Sequence, residues 1–203
     1  MSKAVFKSLG ITKYSDALAK MKDKLTEKDF KNEIWFLEHF KVFTLGTAAN
    51  KAHVLDPKDI PVYQSDRGGE VTYHGPGQLV IYFLLDFKKL NMGPKTLVES
   101  LQRFVQSILN EFEIESSLIA GAPGVYVDDK KIASIGLRIS NGKTYHGISI
   151  NIDMDLEPFS SINPCGVSSM KVTQLKEYTD IGLHQVTKDL KSLVKLKFEN
   201  HFE

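Results

Sequence analysis

The chain has 203 residues, a formal net charge of +1 and 42% hydrophobic residues, which suits one soluble domain with a sizeable core and argues against the concentrated basic surface that nucleic acids need. Its single cysteine excludes an internal disulfide and completes no cysteine-rich zinc pattern. The opening MSKAVFKSLGITKY lacks the apolar core of a secretory signal, and the longest apolar stretch, Leu79–Leu85, is too short to span a membrane, so a reducing cytoplasm is the expected home.

Tyr14, Ala17, Leu18, Met21 and Leu25 recur at helical spacing and predict an amphipathic helix over Tyr14–Lys28, with Ser15 and Asp16 as first-turn or capping residues. Glu33–His39 and Val42–Leu45 are aromatic or β-branched and predict strands. Ala48–Asp59 reads as loop, and Val62–Gln64 as a short strand leading into Asp66-Arg67-Gly68-Gly69. Val71–Tyr73 is extended until His74-Gly75-Pro76-Gly77 signals a turn. The continuous apolar run Leu79–Phe87 predicts a central strand covered on both faces. Pro94 opens a helix whose stripe, Leu97, Leu101, Phe104, Ile108 and Phe112, runs to Phe112. Gly124–Asp128 and Lys131–Ile139 predict strands joined at Asp128-Asp129-Lys130. Asn141-Gly142 is a strong hairpin signal joining the second of these to Thr144–Ile152. Asp153–Asn163 reads as loop with one helical turn, Val172–Tyr178 as a short helix, and Leu183, Val186, Leu190, Leu193 and Val194 as a C-terminal helix. The whole, residues 1–203, is expected to be a single α+β domain, an antiparallel or mixed sheet flanked by helices.

Three stretches hold the chemistry. In Ser160–Thr173, SSINPCGVSSMKVT, Cys165 sits between a residue that restricts the backbone and one without a side chain. It is either a buried structural thiol or a nucleophile, which would need a nearby cation or base to become thiolate. Lys131, His74 and His146 are the candidates for that group. Lys131 could equally be a solvated hairpin lysine, with Lys130 beside it. Arg67–Gly69 could donate to a phosphate, although no GxxxxGK[ST] is present, or Thr72–Gly77 could wall an acyl slot, or the stretch could be a tight turn with a structural histidine. His146 is a sheet histidine or a wall of the same slot. No close ligand spacing marks a metal site. Lys188, Lys191, Lys195 and Lys197 form a solvated helix face or a surface for an acidic partner.

Taken in order, DRGGEVTYHGPGQ (66–78), GVYVDDKKIASIG (124–136), Tyr145-His146-Gly147 with Asn151, and INPCG followed by VTQL resemble one family: the octanoyl-[acyl-carrier-protein]:protein octanoyltransferases, also called lipoate-protein ligase B. The resemblance implies a fold like that of biotin protein ligases and lipoate ligases. It implies that Cys165 accepts the acyl group and that Lys131 lowers the pKa of its thiol. It places substrate along Arg67, Gly68, Gly69, Glu70, Val71, Thr72, Tyr73 and His74, along Ser134, Ile135 and Gly136, and along Gly147, Ile148 and Ser149. It implies octanoyl-acyl carrier protein as donor and, as acceptors, lipoyl domains of 2-oxoacid dehydrogenase complexes and the glycine-cleavage H protein, with no cofactor, metal, nucleic acid or membrane. The departures are Phe40-Lys41 where many relatives have two prolines, Glu70 where glutamine is common, and Tyr126 where tryptophan is common. An ATP-dependent ligase, a non-catalytic binding module and a Cys–His hydrolase are the rival readings.

Overall fold

The computed structural model describes residues 4–163, 170–179 and 183–202. A mixed seven-stranded sheet organises them. Its strands are β1 (Val5–Thr12), β2 (Glu33–His39), β6 (Gln78–Leu84), β7 (Ser117–Ile119), β8 (Ala122–Val127), β9 (Lys130–Ser140) and β10 (Lys143–Asn151), in the order β1-β2-β6-β10-β9-β8-β7. β1 runs parallel to β2, and every other named pair is antiparallel. A second sheet, β4-β3-β5, is built from β3 (Val42–Leu45), β4 (Val62–Gln64) and β5 (Val71–His74). The helices are α1 (Tyr14–Leu25), α2 (Pro94–Asn110) and α3 (Leu183–Phe202).

The unbroken apolar run of β6 has the cause expected of it. Leu79, Ile81 and Phe83 point into one core with Leu101 and Phe104 of α2 and with Leu190, Val194 and Phe198 of α3. Val80, Tyr82 and Leu84 point the other way, against Tyr14, Ala17, Leu18 and Met21 of α1. Successive side chains alternate across a strand, so a strand covered on both faces needs apolar residues at both parities. α2 and α3 therefore cover one face of the sheet and α1 the other.

Two hairpins set the register of the middle. β9 and β10 turn at Asn141-Gly142, both with positive φ (51° and 76°), as the sequence predicts. β8 and β9 turn at Asp128-Asp129, also at positive φ (47° and 59°), which short acidic side chains tolerate; Lys130 is already in β9. Several boundaries differ from expectation. α1 stops at Leu25, where Thr26 Oγ1 donates to Asp23 O (2.7 Å); Asp16 lies in its first turn as expected, while the N-cap is Lys13, which makes no side-chain capping bond. α2 ends at Asn110, and His74 closes β5 instead of opening a turn. Val172 pairs with β9 and only Leu175–Glu177 is helical. β1 and β7 are additions. Both are outer strands with mostly exposed residues, so neither carries the alternation that marks a half-buried strand.

Candidate active site

A cavity opens on the α1 face of the large sheet, between that sheet and β5. β9 supplies Lys131, Ser134, Ile135 and Gly136, and β10 supplies Gly147, Ile148, Ser149 and Asn151. Cross-strand pairing sets Gly136 opposite Gly147, Ile135 opposite Ile148 and Ser134 opposite Ser149, so two stretches apart in sequence form one floor. The facing wall is Arg67, Gly69, Glu70, Val71, Thr72 and His74. Tyr14, Val80, Tyr82, His146, Pro123, Phe159 and Val172 complete the lining. Gly68 and Tyr73 stand apart from it. Gly68 N donates to Leu137 O (2.9 Å), docking the loop onto β9. Tyr73 points off the other side of β5, its ring 5.5 Å from Phe43 and 5.4 Å from Phe159, where burial pushes its hydroxyl up to about 12. Tyr14, Val80, Tyr82 and Phe159 belong to no sequence motif. Their only signal is apolarity, which they share with core residues.

The wall is held by Arg67, whose guanidinium donates to Thr44 O (2.7 Å), Thr44 Oγ1 (2.9 Å from the same nitrogen), Gly68 O (3.0 Å) and Glu70 O (2.8 Å). A guanidinium buried and engaged in this way shapes the loop backbone, which differs from a phosphate anchor. Glu70 Oε2 meets His53 Nδ1 (3.1 Å). The close packing extends to Gly46, where a Cβ would stand 2.0 Å from Gly69 O.

One end of the cavity is closed by rings. Tyr14 stacks on His74 (6.1 Å) and His146 (6.4 Å), and Tyr82 meets His146 edge-on (5.9 Å) and accepts or donates a 2.7 Å bond with His39 Nε2. His146 adopts a positive φ of 61°, and its Nε2 bonds Asp66 Oδ1 (2.9 Å), while its buried Nδ1 has no partner among the described residues. Hydrogen bonding from His146, Lys22 and Tyr145 holds the Asp66 carboxyl well below the usual carboxylate range. Burial outweighs Asp66 and lowers His146, and burial first, then His39, pulls His74 well below its ordinary value. His39, buried, is lowered to about 4.

These shifts give a stability prediction. A histidine whose folded pKa lies below the unfolded 6.5 binds protons more readily unfolded, so its contribution is present above 6.5 and lost as pH falls towards 4. For His39 alone that loss amounts to about 3 kcal/mol. Urea midpoints measured from pH 7 to pH 4 are expected to fall, and His39→Gln is expected to flatten that slope.

Lys131 is 4% exposed, unlike a solvated hairpin lysine. Its N–H donates to Lys171 O (2.8 Å), and its carbonyl accepts from Thr173 N (3.0 Å). Its ammonium stands 5.6 Å from the centroid of Tyr126. Its stem passes over Gly124, where a Cβ would come within 2.3 Å of Lys131 Cε and 2.8 Å of Ala133 O. Gly124→Ala is therefore expected to displace Lys131 and slow any reaction in which Lys131 takes part by roughly tenfold or more, a barrier increase of about 1.4 kcal/mol, read in single-turnover assays. Cys165 falls among residues 164–169 and lies outside the described residues. The strand that follows that stretch is the one paired with Lys131. The lysines of α3 sit across the sheet from the cavity. Lys197 pairs with Glu111 (2.8 Å), and Lys195 lies over Phe6 (5.8 Å).

Residues 13–195 match the family model of the lipoyl protein ligase A/B catalytic domain. An octanoyltransferase of Legionella pneumophila (strain Lens) is 48% identical over 186 residues, 90% of this chain and 94% of that one. The chain belongs to the octanoyltransferase family. Another octanoyltransferase, from Vesicomyosocius okutanii, is 49% identical over 85% of this chain and 86% of its own. Membership makes the chain an acyltransferase, one of the enzymes that transfer octanoyl groups in protein lipoylation. Solved structures show how widely the octanoyltransferase fold is shared. The bipartite lipoate protein ligase of Thermoplasma acidophilum superposes with a TM-score of 0.76 at 13% identity, covering 98% of this chain and 85% of that one. The biotin protein ligase of Aquifex aeolicus gives 0.52 at 18% identity, covering 100% and 72%.

Proposed function

We propose that this enzyme moves an octanoyl group from octanoyl-acyl carrier protein to a lysine ε-amine of lipoyl domains, those of 2-oxoacid dehydrogenase complexes and the glycine-cleavage H protein, through an S-octanoyl-Cys165 intermediate. The observation that carries the reading is a buried lysine, Lys131, in the wall of a cavity whose apolar lining includes Tyr14, Val80, Tyr82 and Pro123. The chain that holds it is 48% identical to an octanoyltransferase. An apolar slot suits a medium acyl chain, because each buried methylene contributes about 0.8 kcal/mol.

In the first step the Cys165 thiolate attacks the thioester carbonyl. A C–S bond forms to Cys165, the C–S bond to the carrier breaks, and the carrier leaves as its thiol after taking up a proton. The Lys131 ammonium favours the thiolate. In the second step the acceptor amine attacks the S-octanoyl carbonyl. The amide C–N bond forms, Cys165 leaves as thiolate, and Lys131, when neutral, takes the amine's proton. An amide is more stable than a thioester, so the exchange runs without nucleotide. The reaction is placed in the cytoplasm, in keeping with a free catalytic thiol; among the described residues no helix is long and apolar enough to cross a membrane.

The test uses octanoyl-acyl carrier protein and a lipoyl domain with and without ATP. Octanoyl amide is expected on the domain at equal rates in both. A requirement for ATP would support ligase chemistry instead, and release of free octanoate with no amide would support a hydrolase.

A further inference from the structure

Beside Lys131 the sheet exchanges one strand for another. Along β9, Ala133 still pairs with Ile150 of β10. One residue later β10 ends at Asn151, and Ile152 N turns away to Gly77 O (3.1 Å). The place vacated beside Lys131 is taken by Lys171–Thr173, which runs parallel to β9 there and is tied to it by two backbone bonds at Lys131. A bridge of two bonds is a short ladder, and it needs side chains to hold its register.

Asn151 stands at that exchange. Its Nδ2 donates to Thr173 O (2.9 Å), and its Oδ1 accepts from Gln78 Nε2 (2.9 Å), the residue directly opposite in β6. Gln78 Nε2 also donates to Tyr73 O (3.2 Å), and Gln78 Oε1 bonds His74 Nδ1 (2.7 Å). Gln78 is 1% and Asn151 5% exposed, so neither amide has bulk water to fall back on. On the far side Thr173 Oγ1 donates to Glu177 (2.8 Å). One chain of bonds thus runs from the cavity wall at His74 through two amides to the strand paired with Lys131. Its amide orientations leave His74 Nδ1 as the donor and His74 Nε2 as the bare nitrogen.

We propose that Asn151 and Gln78 are positioning residues, holding Lys171–Thr173 against Lys131 and thereby setting where the Lys131 ammonium stands. The inference rests on the reading of Lys131 as the partner of the Cys165 thiol. It gives Gln78, which does not line the cavity, a role in the rate of the chemical step.

The test compares Asn151→Leu and Gln78→Met, which keep volume and remove the amides, with the unmodified full-length enzyme. Single-turnover acylation by octanoyl-acyl carrier protein is expected to slow at least tenfold in each, with the donor KM within threefold. Iodoacetamide alkylation of Cys165 at neutral pH is expected to slow in parallel. The double variant is expected to be no slower than the worse single one, since both cut the same chain. Gln78→Met leaves the Asn151–Thr173 bond in place and carries the test if Asn151→Leu does not fold. Circular dichroism and urea unfolding identify the folded variants. A folded variant with an unchanged acylation rate and unchanged alkylation overturns the proposal, as does a raised KM with the rate constant intact. Failure of the unmodified enzyme to acylate Cys165 would instead overturn the function proposed above, while the alkylation arm would still read the placement of Lys131.

Discussion

Cys165→Ala is expected to abolish the acyl-enzyme and to reduce octanoyl transfer by a factor on the order of 10³ or more, the scale on which removing a nucleophile acts. Incubated with octanoyl-acyl carrier protein, the unmodified enzyme should gain one octanoyl group by intact-mass spectrometry. Peptide mapping should put it on Cys165, and hydroxylamine should remove it. The alanine variant should show none of these. Cys165 is the sole cysteine, so no other thiol can take its place. Normal transfer by Cys165→Ala would sink the covalent route and leave direct attack of the amine on the donor thioester.

Lys131 carries the second large effect, and two substitutions divide its roles. Lys131→Ala removes a buried cation, and on the proposed Cys–Lys pairing the thiol it leaves behind is harder to ionise. The pH midpoint of Cys165 alkylation should rise above its value in the unmodified enzyme, towards and beyond the unperturbed thiol value of about 8.5. Each unit of that rise corresponds to about 1.4 kcal/mol less favour for thiolate. Lys131→Arg keeps the charge but cannot accept a proton, because guanidinium does not deprotonate in proteins. It should still form some S-octanoyl-Cys165 and fail to pass the group to the lipoyl domain. His74→Ala and His146→Ala should disturb acyl binding more than thiol ionisation. An alkylation profile unmoved by Lys131→Ala and shifted by a histidine variant would replace the Cys–Lys pair with a Cys–His pair.

The floor of the cavity was legible in the chain because one local signal controls it. Asn141-Gly142 demands a two-residue turn, and that turn alone brings Ser134–Gly136 into register with Gly147–Ser149. The central strand was legible because both its faces are covered, so its apolar run is continuous. β1 was not, since an outer strand in mostly exposed, parallel pairing is stabilised by β2, whose paired residues lie 27 or 28 positions further along. Arg67 read as a possible phosphate ligand because a guanidinium beside glycines looks the same from sequence whether its donors meet a ligand or Thr44 and Glu70.

The sequence by itself determined the family, through four motifs in order, and with it the pairing of Cys165 with Lys131 as an expectation. It determined the middle of the sheet, whose hairpins are made by neighbouring residues. Only the tertiary structure decided that α3 and its lysines lie across the sheet from the cavity, a matter of which helix covers which face. It alone decided that Tyr14, Tyr82 and His146 close one end of the slot, and that Lys131 is buried beside Tyr126 over Gly124. Tyr126 faces Lys131 across the β8–β9 hairpin, so what is tertiary there is the burial; the ring contacts join residues that no local pattern links. They come together because the two faces of β6 must be buried at once, and burying them brings α1, β5 and the β9–β10 hairpin to one place.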